Sequence, residues 1–199
     1  MKDDQTIKSR LRNTVLAIRD GLPNSQRVLE SAQACRKLNV LVKTLQAHHP
    51  RGQCGIALYS PMRSELDCSG SFEPLTAEGH LLCLPRMQDT GSLHFHKWRP
   101  GQVLEKGSFG TLEPSMSFPV IDPDIIVLPL SCFDRACNRS GYGKGCYDRT
   151  ISNMRDSGLQ PFLIGVAFPC QEISMVPMEH HDIPLDYIVT AKSVHQRNV

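Results

Sequence analysis

Apolar positions along this chain follow two periods, one helical and one extended. Ile7, Leu11, Val15 and Ile18 recur every three to four residues and predict an amphipathic helix over residues 4–20. Gly21 and Pro23 end it. Asn24 or Ser25 can cap a second helix that runs to about Ala47, with Val28, Leu29, Ala32, Leu38, Leu41, Val42 and Leu45 on a wide apolar side. Residues 48–53 read as a turn. Short continuous apolar runs then take over, and Cys54–Tyr59, Leu81–Pro85, Asp124–Leu128, Phe162–Phe168 and Tyr187–Thr190 read as buried strands. Leu93–Trp98 alternates and reads as a strand with one wetter, exposed face shared by His94 and His96. Gly145–Asp156 is a further helix, and residues 100–117 are turn-rich with no assignable element. Strands alternating with helices imply an α/β fold with a mostly parallel sheet covered on both faces. The loop Ser60–Glu65 leaves the C-terminal end of the first strand, where such folds place ligands.

Composition narrows the function classes. A chain of 199 residues suits one domain, residues 1–199. The net charge of +2 is too small to hold nucleic acid or an anionic membrane by bulk electrostatics, so any basic site has to be local. No run of about 18 apolar residues predicts a membrane span. The start, M-K-D-D-Q-T, lacks the apolar segment of a secretory signal, so a cytoplasmic location is expected. A monomer is the expectation, with a dimer left open. The cysteines are scattered with no C-x-x-C pair and read as free thiols; Cys132, Cys137 and Cys146 fit no common zinc spacing.

Local basic chemistry is concentrated in N-R-S-G-Y-G-K-G-C-Y-D-R, Asn138–Arg149. Gly141, Gly143 and Gly145 alternate there, flanked by Arg139, Lys144 and Arg149, after a buried strand and before a helix. Glycine lets backbone N–H groups approach an anion, and a helix N-terminus adds its positive dipole end. The stretch reads as a polyphosphate nest, against the plainer reading of a glycine-rich surface turn with solvated charges. It is not a Walker loop, because Gly145 follows Lys144 and Asn138 stands where the first glycine belongs; nor is it a dinucleotide fingerprint, because Cys146 replaces the last glycine. Lys8 and Arg12, four apart, share a helix face that by itself reads as solvated. As loop cations, Arg139 and Lys144 are expected to matter to turnover far more than to folding.

R-S-G-Y-G-K-G-C-Y-D-R resembles R-L-G-Y-G-G-G-Y-Y-D-R, the signature of the 5-formyltetrahydrofolate cyclo-ligases. Five further stretches resemble that family in its order: K-S-R-L-R from Lys8, Y-S-P-M-R-S-E-L-D from Tyr59, D-I-I-V-L-P-L-S-C-F-D from Asp124, and the closing pair G-V-A-F-P-C-Q from Gly165 and P-M-E-H-H-D from Pro177. The resemblance implies a three-layer α/β/α sandwich related to sugar-phosphate isomerases and CoA-transferases. It also implies cyclisation of 5-formyltetrahydrofolate to 5,10-methenyltetrahydrofolate with ATP and Mg²⁺.

Residue by residue, the resemblance puts ATP against Lys8, Ser9, Arg10, Leu11 and Arg12, and against Arg139, Ser140, Gly141, Tyr142, Gly143, Lys144, Gly145, Cys146 and Tyr147. Arg139 and Lys144 are its catalytic cations. Ser60, Glu65, Gly143, Lys144, Gly145 and Cys146 face the folate, with Glu65 accepting paired N–H bonds from the pterin. Asp148 and Asp182 are its metal carboxylates; a helix cap or Arg149 pair for Asp148, and a turn-holding role for Asp182, stay open beside that. Cys146 in place of tyrosine, Lys144 of glycine, Ser140 of leucine and Cys68 of threonine depart from the pattern. Two other classes stand beside the enzyme: a non-catalytic folate or nucleotide binder on the same scaffold, and a phosphosugar isomerase or CoA-transferase relative. The latter would need a carboxylate or base constellation that no comparable block supplies.

Overall fold

The computed structural model describes residues 2–47, 53–107 and 110–198, with side chains from Ile7 onward. In chain order the elements are α1 (Lys2–Asp20), α2 (Asn24–Gln46), β1 (Gly55–Ala57), α3 (Phe72–Ala77), β2 (Leu81–Met87), β3 (Leu93–Lys97), β4 (Glu105–Lys106), β5 (Leu112–Glu113), β6 (Ile125–Pro129), β7 (Cys132–Phe133), β8 (Arg139–Ser140), α4 (Cys146–Asp156), β9 (Phe162–Val166), β10 (Tyr187–Val189) and β11 (Val194–Gln196). The turn expected at residues 48–53 lies outside the described residues except for Gln53.

A seven-stranded sheet runs in the order β11-β10-β9-β6-β1-β2-β3. Its five inner strands are parallel, and β11 and β3 are antiparallel at the two edges. Alternate residues of the inner strands feed two cores, which is why these strands appear as unbroken apolar runs. On one face Ala34, Leu38 and Val42 of α2 cover Ile56, Ile125, Val127, Ile164 and Val166. On the other, Ile151 and Met154 of α4 cover Ala57, Ile126, Leu128 and Leu163. Helix, sheet, helix is the expected three-layer α/β/α arrangement. Each fully buried Leu, Ile or Val contributes about 1.5–3 kcal/mol, so these two layers dominate the stability.

Several expectations need correction. Pro23, not Asn24 or Ser25, occupies the N-cap of α2, with no side-chain cap bond; its fixed φ suits the position. The wide apolar side of α2 is not all buried. Val28, Leu29 and Ala32 are exposed, and the packed stripe runs through Ser31, Ala34, Cys35, Leu38 and Val42. The small residues at its start let the helix approach the chain at Asp67–Gly70, where Asp67 N–H bonds Ser31 Oγ at 3.2 Å. His94 is exposed but His96 is buried, because residues 118–120 cross β3 there: His96 Nδ1 lies 2.7 Å from Phe118 O, and His96 bridges Val120. The unassigned stretch 100–117 contains the two-residue hairpin β4–β5.

The largest revision concerns α1. Of its apolar positions Val15 is buried, Leu11 is half-buried, and Ile7 and Ile18 are exposed. The inward face instead carries Lys8, Arg12, Val15 and Arg19, at helical spacing. A helix that borders a polar cavity buries polar side chains, and its apolar stripe then no longer marks the inside.

Candidate active site

The C-terminal ends of the parallel strands open into a cavity of about 780 Å³. Tyr59 and Ser60 after β1, Pro85 and Met87 of β2, and Pro129 of β6 reach it from the sheet. Lys8 and Arg12 of α1, residues 139–148, the β5 hairpin at 111–113 and the segment 179–182 close its sides.

The glycine loop is built before the glycines begin. After β6 the chain makes the short antiparallel pair β7–β8, with Phe133 opposite Arg139. Asp134 holds the turn between them: Oδ1 accepts from Ala136 N at 3.0 Å and Asn138 N at 3.1 Å, and Oδ2 from Val176 N at 2.9 Å. The turn thereby aims Ser140–Gly145 at the cavity. Gly143 (φ 89°) and Gly145 (φ 63°) take left-handed backbone, and Gly145 is the N-cap of α4. A Cβ on Gly143 would come within 2.6 Å of Arg12 Nη1, so glycine is what lets the α1 guanidinium lie on the loop. Arg12 Nη1 also donates to Tyr142 O at 3.4 Å.

Close ion pairs cross this end of the cavity. Arg139 Nη2 meets Asp148 Oδ1 at 2.8 Å, and that oxygen also accepts from Ile183 N at 3.1 Å. Lys8 Nζ bonds Asp182 Oδ2, which accepts Glu179 N–H at 2.8 Å as well. Burial pushes the Asp182 carboxyl up, but the Lys8 hydrogen bond, the Glu179 N–H and the Lys8 charge outweigh it and hold the carboxyl below its ordinary value. Arg139 is only 6% exposed, so the expectation of a surface-loop cation with little bearing on folding fails for it. The residue belongs to β8 and is buried against Asp148. Lys144 is exposed, as expected. The Nε donors of Arg12 and Arg139 are both buried without a hydrogen-bond partner among the described residues. Arg155 and Arg197 carry an unpaired Nε of the same kind away from the cavity, so it is the place of Arg12 and Arg139 on the cavity wall that makes their donors available to a ligand.

The opposite end carries the reverse imbalance. Met62 N donates to Glu65 Oε2 at 2.8 Å and Glu65 N donates to Met62 O at 2.9 Å, a reciprocal closure that fixes the carboxylate. Arg63 inside that turn takes a left-handed φ of 52°. Glu65 Oε1 is buried with no close hydrogen-bond partner among the described residues, although the Tyr142 hydroxyl lies near the carboxylate. Burial pushes the Glu65 carboxyl up, opposed by the Met62 N–H, by the charge of Arg19 and by the Tyr142 hydroxyl.

Of the residues expected at the site, Lys8, Arg12, Ser60, Glu65 and all of 139–148 line this cavity together with Asp182. Ser9, Arg10 and Leu11 do not: the helix carries only Lys8 and Arg12 of that block inward. Cys146 is half-exposed on the cavity wall. Burial pushes the Tyr147 phenol well up. Sequence reasoning missed Arg19, Ser64, the 111–113 hairpin and Glu179. Arg19 had a signal, since it continues the helical spacing of Lys8 and Arg12; the hairpin had none. Among the described residues no helix is long and apolar enough to cross a membrane, and no group of three His, Cys, Asp or Glu side chains is set to hold a metal ion.

Fold and site define a class: a parallel α/β protein whose cavity sets a glycine loop, cations and a helix N-terminus against a buried carboxylate across the same space. Comparison narrows this further. The model of the 5-formyltetrahydrofolate cyclo-ligase family matches residues 4–191, and the chain belongs to that family. It is 28% identical over 182 residues to the 5-formyltetrahydrofolate cyclo-ligase of Haemophilus influenzae, spanning 81% of this chain and 96% of that protein. It is 32% identical over 145 residues to the Escherichia coli 5-formyltetrahydrofolate cyclo-ligase, spanning 70% and 79%. The solved structure of Aquifex aeolicus 5,10-methenyltetrahydrofolate synthetase superposes with a TM-score of 0.77 at 28% identity, covering 97% of this chain and 94% of that one.

Proposed function

We propose that this chain, acting as one cytoplasmic domain over residues 1–199, converts 5-formyltetrahydrofolate to 5,10-methenyltetrahydrofolate with ATP and Mg²⁺, releasing ADP and phosphate. One observation carries the reading. The cavity holds two buried guanidinium donors without acceptors, on Arg12 and Arg139, and one buried carboxylate oxygen without a donor, on Glu65. A polyphosphate satisfies the first pair and an amino-pyrimidinone edge satisfies the second. A ligand pair that carries both fits the substrates of a cyclo-ligase.

The chemistry follows from this polarity. A formyl oxygen is a poor leaving group, so the γ-phosphoryl of ATP is transferred to it and ADP departs. The anilino nitrogen then attacks the activated formyl carbon, loses its proton, and phosphate leaves. The protein's task is positioning and charge neutralisation. Gly141, Gly143 and Gly145 turn backbone N–H groups toward the phosphates, with Ser140, Tyr142 and Tyr147 framing the loop. Arg139 and Lys144 neutralise the moving phosphoryl, and Lys8 and Arg12 close on the nucleotide from α1. Glu65 grips the pterin, with Ser60 and Cys146 as further wall on the folate side. Asp148 and Asp182 line the cavity and each engages its cation through one oxygen, so they suit an ion that takes one or two carboxylates beside phosphates and water. Mg²⁺ held there would supply charge neutralisation at the phosphates.

The test is to mix the protein with 5-formyltetrahydrofolate and Mg·ATP and follow near-ultraviolet absorbance of the methenyl product. ATP-dependent product formation is expected. A folded protein that binds both ligands without product would be the non-catalytic binder instead.

A further inference from the structure

Arg19 is assigned no part in the chemistry above, yet it is among the largest fully buried side chains of the protein, at 1% exposure. It lies one helical stripe along from Lys8 and Arg12 but does not line the cavity. Its guanidinium makes no direct carboxylate pair: Asp20 Oδ1 is 4.0 Å from Nε. Its bonds go instead to two neutral hydroxyls on two different loops. Nε donates to Ser64 Oγ at 3.0 Å, and Nη2 donates to Tyr142 Oη at 2.8 Å, with the guanidinium carbon 5.9 Å from the Tyr142 ring centroid. Ser64 Oγ in turn donates to Asp20 Oδ1. Ser64 immediately precedes Glu65, and Tyr142 lies between Gly141 and Gly143. One rigid fork therefore holds the residue beside the orphaned carboxylate and the residue inside the glycine loop.

Stability does not explain this arrangement. The Arg19 charge is balanced only at longer range, by Asp20 at 4.0 Å and by Glu65, and a well-packed apolar side chain at the same place would serve the core as well. What an apolar residue cannot do is fix two loops relative to each other. A lysine could not either, because its ammonium is a point charge without the planar fork.

We infer that Arg19 is a positioning residue that couples the two halves of the cavity, so that a nucleotide on the glycine loop and a folate on the Glu65 loop bind synergistically. This rests on the cyclo-ligase reading. Each ligand orders the loop it touches, and through Arg19 it orders part of the other loop in advance. The second ligand then loses less freedom on binding.

The test is calorimetric titration of 5-formyltetrahydrofolate with and without a non-hydrolysable ATP analogue and Mg²⁺. In the wild type the analogue should tighten folate binding roughly tenfold, within the usual range of coupling between sites. Tyr142→Phe and Ser64→Ala each cut one arm while leaving Arg19 in place, so the fold does not have to absorb the loss of a buried charge. In either variant the synergy should fall to about twofold or less, while in Ser64→Ala folate binding without nucleotide should change by less than about threefold. Arg19→Lys should lose the synergy as well, because an ammonium lacks the planar fork. A wild type without synergy, or synergy intact in Tyr142→Phe, overturns the inference even if turnover is normal. A wild type that binds no 5-formyltetrahydrofolate and forms no methenyl product overturns the cyclo-ligase reading instead, so the two failures are distinct.

Discussion

The two ends of the cavity are built in opposite ways. The glycine-loop end comes mainly from one continuous stretch, residues 139–148, presented by a turn, a two-strand pair and a helix N-terminus. It sets the cations of Lys8, Arg12, Arg139 and Lys144 against the carboxylates of Asp148, Glu179 and Asp182, and the Nε donors of Arg12 and Arg139 stay unpaired among the described residues. The Glu65 end is assembled from pieces far apart in the chain: the loop after β1, the ends of β2 and β3, and the hairpin at 111–113. It is largely apolar around two buried carboxylates, Glu65 and Glu113; Glu113 accepts from Thr111 Oγ1 at 2.8 Å, whereas Glu65 Oε1 lacks a close donor among the described residues. The comparison teaches that a phosphate-like site can be specified locally, because backbone N–H groups do the work. A site for a flat heterocycle has to be specified by tertiary packing, because its walls are side chains.

That contrast can be broken most strongly at Arg139. Its pair with Asp148 is buried, so Arg139→Ala strands a carboxylate and should cost about 3–5 kcal/mol of stability, read as a lower urea midpoint, along with turnover. Lys144 lies on the same loop but is exposed. Lys144→Ala should lower turnover at least about 100-fold, the usual loss of one transition-state donor, with stability within about 0.5 kcal/mol of wild type. Equal effects of the two variants on folding would mean that the loop is uniform and the contrast misplaced.

A smaller effect concerns the Lys8–Asp182 pair that closes α1 over the loop. The folded Asp182 carboxyl sits below its ordinary value, so the pair contributes stability above that value and loses it as pH falls through the depressed one. As pH falls below the ordinary carboxylate range, urea midpoints should drop more steeply for wild type than for Asp182→Asn. The smallest effect is chemical. Cys146 and Cys170 are half-exposed and the other six cysteines are buried. Alkylation followed by mass spectrometry should reach those two first, and ligands should protect Cys146, which lines the cavity, but not Cys170. Protection of both would point to a global tightening rather than occupancy of the site.

The same physical difference decides what could be read from the sequence. The inner strands were legible because burial on both faces leaves unbroken apolar runs such as Ile125–Pro129. The loop was legible because its glycines, cations and following helix are adjacent in the chain. The inward face of α1 was misread because apolar periodicity marks the inside only where the inside is apolar; beside a cavity, Lys8, Arg12 and Arg19 took that place. The burial of Arg139 was hidden because nothing in the local sequence announces the Asp148 pair. His96 was misplaced because residues that cover it come 22 positions later, at Phe118. The β4–β5 hairpin was invisible because two-residue strands carry no alternation.

The central claim is that one cavity has a nucleotide end and a folate end, and crossed titrations test it most directly. Dissociation constants for Mg·ATP and for 5-formyltetrahydrofolate should be measured on Glu65→Gln and on Lys144→Ala. Glu65→Gln is expected to weaken folate by about 1.5–3 kcal/mol, the worth of a hydrogen bond to a charged group, and to leave ATP unchanged. Lys144→Ala should do the reverse. If Glu65→Gln lowered ATP affinity while folate affinity held, the two ends would be wrongly assigned and the account would be contradicted.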